Sequence, residues 1–308
     1  MKILVIRFSP VASIVMASPL LRCLKQQLPE AEIHFLTREE HRQAVEFNPH
    51  ISRLHLLAHS RELMLEELVP EAYDLIIDLE NDSTTHHISH FLGVKTLKAP
   101  SLAGKMNIFR MTGLNLLPKK NYADIFLSLV AELGVRPDRS WLEYFITSAE
   151  ETRKEDIPAS HYAGFIACVI ADEGERQWPH ASWVAFCKEM EHPVILLGEK
   201  KDAARGEEIA ASDPVKIYNA CGKFSYNECA DLVSKARLVI APTTGLMYIA
   251  AAYKRPLLWL DDKREPAILR SPYYSEDPAG TTAKPFFVRC SLKENNASVL
   301  KKAKNFLW

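Results

Sequence analysis

Short apolar runs alternate with segments of helical period through most of the chain, the pattern of βα units wound around a parallel sheet. In the first half Lys2–Phe8, Glu32–Thr37, Tyr73–Leu79 and Val94–Lys98 read as strands. Between them Pro19–Gln27 and Glu39–Phe47 read as helices, and a helix Ala123–Leu133 closes on Gly134, placed where a left-handed residue is needed. The pattern then pauses at Ser148–Ser160, a polar stretch with a proline and little to bury, which reads as an interdomain connection.

A second βα series follows. Its strands are Gly164–Ile170, Val194–Leu197, Val215–Tyr218, Leu238–Ile240 and Pro256–Leu260, with helices around Ser182–Glu191, Lys201–Ala211, Tyr226–Lys235 and Leu246–Tyr253. A last amphipathic segment, Leu292–Phe306, reads as a helix. The prediction is an α/β protein of two doubly wound halves, residues 1–150 and residues 160–290, followed by a C-terminal helix within 291–308. Open sheets of this kind bind ligands beyond the carboxyl ends of their strands, so a cleft between two such domains is the expected site.

Composition narrows the picture. The 308 residues are 47% hydrophobic, enough for two cores. The formal charge of −1 leaves no global field toward nucleic acid or an anionic membrane, so any bound anion must be held locally. Six cysteines are scattered without a CxxC pair, several inside apolar runs, as suits free thiols in a reducing cytoplasm. The opening run Ile3-Leu4-Val5-Ile6 is too short for a signal sequence, and no run approaches the roughly 18 apolar residues of a membrane span. A soluble cytoplasmic protein is expected, one that would meet a lipid-linked substrate at the inner face of the membrane.

Two loops could carry chemistry. The first, Arg7 to Pro19, follows a strand and contains small residues; it can present backbone N–H groups to an anion or be an ordinary βα turn. No GxGxxG accompanies it, which excludes a dinucleotide fingerprint. The second runs from Leu238 to Ala252. A strand ends at Pro242, two hydroxyls and a glycine follow, and a helix of small residues begins. Gly245 admits close approach to the backbone, the helix start offers N–H groups, and Thr243 and Thr244 can donate to phosphate oxygens, although Thr244 can equally cap the helix.

The run Thr244-Gly245-Leu246-Met247-Tyr248-Ile249-Ala250-Ala251-Ala252 resembles the signature of glycosyltransferase family 9, the lipopolysaccharide heptosyltransferases, which reads Asp-Thr-Gly-Leu-Met-His-Ile-Ala-Ala-Ala. Cys221-Gly222-Lys223-Phe224-Ser225 is similar to the family's Gly-Lys-Thr-Ser, Trp178-Pro179 to the end of its Thr-Lys-Arg-Trp-Pro loop, and Met1–Lys25 to its opening strand, loop and helix. The resemblance implies a GT-B fold, two Rossmann-like domains facing across a cleft, with the acceptor on the first, a nucleotide-diphosphate sugar, typically ADP-heptose, on the second, and the C-terminal helix within 291–308 packing back on the first. It also implies inverting transfer to a lipopolysaccharide or cell-envelope glycan acceptor, with no metal or other cofactor and no nucleic-acid partner. On this resemblance the donor would be held by Arg176, Lys223, Thr243, Thr244, Gly245, Leu246 and Met247.

The chain departs from the family at several of these positions. The family's first loop carries Gly-Asp, the aspartate acting as general base; here the pair is Ala12-Ser13. Thr243 replaces the aspartate before Thr-Gly, Tyr248 the histidine, and Arg176-Gln177 the Lys-Arg before Trp-Pro. After the third predicted strand, Asp78-Leu79-Glu80-Asn81-Asp82 is acidic where relatives carry His-Asn and basic residues, leaving Glu80 and Asp82 as substitute bases or as solvated loop carboxylates. Two functions follow: a transferase, or a catalytically inactive relative acting as a binding or regulatory partner. An epimerase on a related fold lacks a base-and-acid pair. The HHxxH pattern of His86, His87 and His90 offers two imidazoles on one helical face and too few further ligands for a metal.

Overall fold

The computed structural model describes residues 1–57, 61–171, 178–261, 266–272 and 287–307, with the side chains of residues 61 and 62 outside the description. The chain divides into two compact units. The first is Met1–Phe145 with Arg264–Glu276, and the second is Ile146–Lys263 with Asp277–Trp308.

In the first unit five strands, β1 (Lys2–Ile6), β2 (Glu32–Thr37), β3 (Arg53–Leu56), β4 (Leu75–Asp78) and β5 (Thr96–Lys98), form a sheet in the order β3-β2-β1-β4-β5. All pairings are parallel, with Ile6 opposite Leu36 on one side and Asp78 on the other. Parallel neighbours cannot be joined by a tight turn, so helices cross between them and cover the faces. That is why β1 and β4 read as unbroken Ile/Leu/Val runs: their residues from Ile3 to Ile6 and from Leu75 to Asp78 are buried. The core over one face joins Leu4, Ile6, Leu36 and Ile76 to Met64, Leu68 and Ile88.

The second unit repeats the plan with six strands, β6 (Ile166–Val169), β7 (Val194–Leu197), β8 (Ile217–Asn219), β9 (Leu238–Pro242), β10 (Leu257–Asp261) and β11 (Phe287–Ser291). The order is β11-β10-β9-β6-β7-β8, again parallel throughout. In both sheets the chain winds outward for three strands and then returns to the other side of the first. The reversal leaves a crevice at the carboxyl ends of β1 and β4 in one unit and of β6 and β9 in the other.

Several sequence expectations change. Strands β3 and β11 were not anticipated: β3 is four residues long, and its one fully buried residue is His55, so it shows no apolar run. The segment predicted as the helix Glu39–Phe47 is a 3₁₀ turn, Glu39–Ala44, with no buried residue to hold a longer helix. The boundary falls before the polar connection rather than inside it. Thr152 donates its N–H to Asp231 at 2.8 Å and its hydroxyl to the Glu228 carbonyl at 3.1 Å, which ties Ser148–Ser160 to the second unit. The C-terminal helix, Asn296–Leu307, was expected on the first domain; instead Val299 and Ala303 are buried in the second unit's core, with Leu300 and Phe306 packed against it. The excursion between units is made by Arg264–Glu276, whose Leu269 lies with Leu102, Met106, Leu117 and Ile125 in a small core of the first unit.

Candidate functional site

In the first unit the crevice is built by the residues leaving β1 and β4. The Glu80 carboxylate crosses it. Its Oε2 accepts the N–H groups of Phe8 at 3.0 Å and Ser9 at 2.9 Å, and the Ser9 hydroxyl reaches Oε1 at 2.7 Å and Oε2 at 2.9 Å. Two backbone N–H groups thus hold Oε2, and the one Ser9 hydroxyl proton is shared between the two carboxylate oxygens. Arg7 approaches Glu80 at 3.5 Å and donates to the Leu79 carbonyl, with its guanidinium 5.3 Å from the Phe126 ring centre. Burial pulls the Arg7 pKa down, and the charges of Glu80, Tyr122 and Asp78 oppose that fall. Beneath, buried Asp78 accepts the N–H groups of Glu80 at 3.0 Å and Asn81 at 2.8 Å through Oδ1. This fixes the turn in which Asn81 takes the left-handed φ of 55°.

Of the other predicted residues of this half, Ser13 lies in the one-turn helix Val11–Val15, buried, donating to the Pro10 carbonyl at 2.9 Å. Asp82 is the N-cap of the helix Ser83–Leu92: it accepts the Thr85 N–H at 2.8 Å, and the Thr85 hydroxyl receives its own N–H in return. The sequence placed Glu80 and Asp82 together as loop carboxylates. The structure separates them into one that bridges two loops and one that caps a helix. His86, His87 and His90 are exposed on that helix, and His86 Nε2 lies 2.7 Å from Asn81 Oδ1.

Among the described residues the one triad able to offer converging ligand atoms to a metal is elsewhere: His34 on β2, His55 on β3, and Glu71. It is already bonded internally. His34 Nδ1, His55 Nε2 and the Tyr73 hydroxyl lie 3.0–3.1 Å apart, His55 Nδ1 faces Glu67 at 2.7 Å, and Glu71 pairs with Lys2 at 2.7 Å and with Arg53. These contacts account for the cluster without a ligand.

In the second unit β9 ends at Pro242 and, after two intervening residues, the helix Gly245–Ala252 begins. Thr244 is its N-cap, its hydroxyl accepting the Met247 N–H at 3.4 Å; the amides of Gly245 and Leu246 precede the intrahelical ladder and have no helical carbonyl to meet. Thr243 Oγ accepts the indole N–H of Trp259 at 2.9 Å, which leaves the hydroxyl proton able to donate outward. The helix behind is buried from Leu246 to Ala251, so its start is held rigidly against the sheet. The side chains of Leu246, Met247 and Tyr248 are among those buried.

Lys223 stands on the loop after another strand. It follows β8 at the sheet edge, three strands from β9, a distance of about 14 Å at ordinary strand spacing. It is exposed, with its ammonium 4.6 Å from the Tyr218 ring centre. Arg176 and Gln177 lie outside the described residues. Asp261 ends β10 and is buried against Arg289 at 2.5 Å.

Sequence reasoning passed over Arg205. Its guanidinium donates to the Trp178 carbonyl at 2.8 Å and the Ile170 carbonyl at 3.5 Å, joining the residues on either side of 172–177 at the end of β6. Nothing in the local sequence Ala-Ala-Arg-Gly-Glu announces this, because its partners are more than 25 residues away. The cysteines are all buried free thiols, and burial pushes Cys221 and Cys229 up to about 12.

With this geometry in place, residues 61–275 match the model of glycosyltransferase family 9 (heptosyltransferase). The lipooligosaccharide heptosyltransferase 2 of Haemophilus influenzae is 28% identical over 294 residues, covering 84% of this chain and 83% of the relative. Its counterpart from Haemophilus ducreyi is 26% identical over 283 residues, 83% and 81% of the two chains. Among solved structures, the Escherichia coli ADP-heptose LPS heptosyltransferase II superposes with a TM-score of 0.77 at 19% identity, over 100% of this chain and 98% of that one. The E. coli heptosyltransferase WaaC with ADP gives 0.75 at 16% identity, over 99% and 100%. The fold is thus the GT-B type expected from the sequence, with two Rossmann-like sheets.

Proposed function

Because the chain belongs to glycosyltransferase family 9, we propose that it transfers a sugar from a nucleotide-diphosphate donor, ADP-heptose, to a lipopolysaccharide or other cell-envelope glycan acceptor. The observation that carries the reading is the start of the helix Gly245–Ala252. Two backbone amides without helical partners and the Thr243 proton face outward from a buried, rigid support, the arrangement that binds a diphosphate. The same groups stabilise the charge that develops on the diphosphate as it leaves.

On the first unit, Glu80, which follows β4 and is bonded to Phe8 and Ser9 of the loop where Ser13 replaces the family aspartate, takes the role of general base. Its Oε2 is anchored by two backbone amides, and Oε1, which meets the Ser9 hydroxyl, is the oxygen assigned to accept the proton of an acceptor hydroxyl. The order of events is direct: the acceptor oxygen attacks the anomeric carbon, its proton passes to Glu80, and the bond to the diphosphate oxygen breaks. No metal or other cofactor enters the reading.

The test is calorimetric binding of ADP to the wild-type chain and to Gly245→Val. Wild type binds and the variant does not, because an isopropyl group would occupy the approach to the helix-start amides. Equal affinity for both proteins refutes this donor site. Failure of ADP and of other nucleotides to bind the wild-type chain supports the inactive-relative reading instead.

A further inference from the structure

The charge distribution of the first unit is lopsided in a way the near-zero net charge conceals. From Ser83 to Ala123 the sequence contains no aspartate or glutamate but carries Lys95, which pairs with Glu132 at 2.7 Å, and Lys98, Lys105, Arg110, Lys119 and Lys120. Within this stretch lies the helix Ala103–Thr112. Leu102, Met106 and Phe109 turn one side of it to the small core, and Leu117 anchors the chain that follows. On the side away from that core Ile108 is 40% exposed and Met111 85%, and beyond the helix end Leu114 is 57% and Leu116 48% exposed. Isolated exposed apolar residues are ordinary. Four within nine consecutive positions, bracketed by exposed Lys105 at one end and Lys119 and Lys120 at the other, make an amphipathic surface that neither unit's core uses.

We propose that the helix Ala103–Thr112 and the segment to Lys120 form a docking surface for an anionic lipid bilayer. The apolar side chains enter the headgroup boundary and the flanking cations meet the lipid phosphates. Charge complementarity decides the occupant: an acid-free basic stretch favours anionic headgroups, and Met111 and the two leucines supply the shallow apolar anchor that a soluble polyanion would not use. The inference goes beyond the proposed transfer and does not depend on it, since lipid binding is read without donor or acceptor; if both hold, the surface brings the first unit to a lipid-linked glycan.

The experiment is co-sedimentation of the full chain with vesicles of phosphatidylcholine alone and with phosphatidylglycerol admixed, at low and high salt. The expected result is partitioning to the anionic vesicles that is about a hundredfold or more above the zwitterionic ones, at about fivefold for each of three or more surface cations, and that weakens as salt rises. Lys105→Gln with Lys119→Gln and Lys120→Gln should reduce partitioning about a hundredfold, at about fivefold per cation. Met111→Asp with Leu114→Asp should reduce it at all salt concentrations while leaving the thermal transition unchanged, because both side chains are exposed. Partitioning to the two vesicle types alike, no partitioning, or variants that sediment like the wild type would each overturn the proposal. So would a wild type that ignores vesicles and forms a dimer that Met111→Asp dissociates, which would assign the surface to a second copy.

Discussion

Replacing Glu80 by glutamine removes one charge while keeping shape, and the structure sets what that costs. The Arg7 guanidinium lies 3.5 Å from the carboxylate, with side-chain exposures of 12% and 18%. At an effective dielectric near 20 the bare attraction is about 5 kcal/mol, and desolvation of both ions takes back much of it. A glutamine oxygen still accepts the Phe8 and Ser9 amides, and its NH₂ can receive no proton from the Ser9 hydroxyl but can donate to it. The net loss expected is therefore about 1–2 kcal/mol, one charge-assisted set exchanged for a neutral one. Catalysis should suffer more: without a proton acceptor the transfer rate should fall about 10²–10⁴-fold. Affinity for ADP should not change, since Glu80 belongs to the first unit and the diphosphate site to the second. Urea unfolding followed by circular dichroism reads the first quantity, steady-state transfer with ADP-heptose the second, and calorimetry the third. A variant whose kcat stays within about threefold of wild type would refute Glu80 as the base. A variant of unchanged stability would refute the view that Glu80 braces the β1 and β4 loops.

Gly222→Ala should destabilise the protein by about 1–2 kcal/mol or more: Gly222 has φ +69° and an added Cβ would stand 2.7 Å from the Lys200 Cα, so a lowered thermal midpoint is expected and an unchanged one would contradict it. Stability should also fall between neutral pH and mildly acid pH. Burial, the largest cause, lowers the pKa of His34, His41 and His161 below the ordinary 6.5, so the unfolded chain takes up protons first as pH falls through 6.5 and stability declines until the folded values are reached. His161→Gln should reduce that slope in unfolding measurements at pH 7.5 and 5.5, because its neutral ring, Nε2 toward the Val194 carbonyl at 3.1 Å and Nδ1 beside Ser160 at 3.0 Å, is the group that would be protonated. An undiminished slope in that variant would show that the other histidines account for it.

The alternation of apolar runs and helical periods by itself determined most of the strands, the doubling of the fold and the position of the Thr243–Gly245 turn, because burial on both faces of a parallel strand and on one side of a helix leaves a local imprint. Resemblance in the run Thr244–Ala252 gave the family. Tertiary structure alone decided what depended on distant partners. Strand β3 escaped notice because its fully buried member is a histidine bonded across to β2 and Tyr73. The last helix joined the second unit because Val299 and Ala303 fit a core that amphipathicity cannot identify. Glu80 and Asp82, alike in sequence, became a loop bridge and a helix cap, because the winding of the sheet sets the β1 loop beside the end of β4 and so brings Phe8 and Ser9 to a carboxylate more than 70 residues away. Local periodicity records which side of an element faces inward; the partner it meets there is fixed only when the sheet is closed around it.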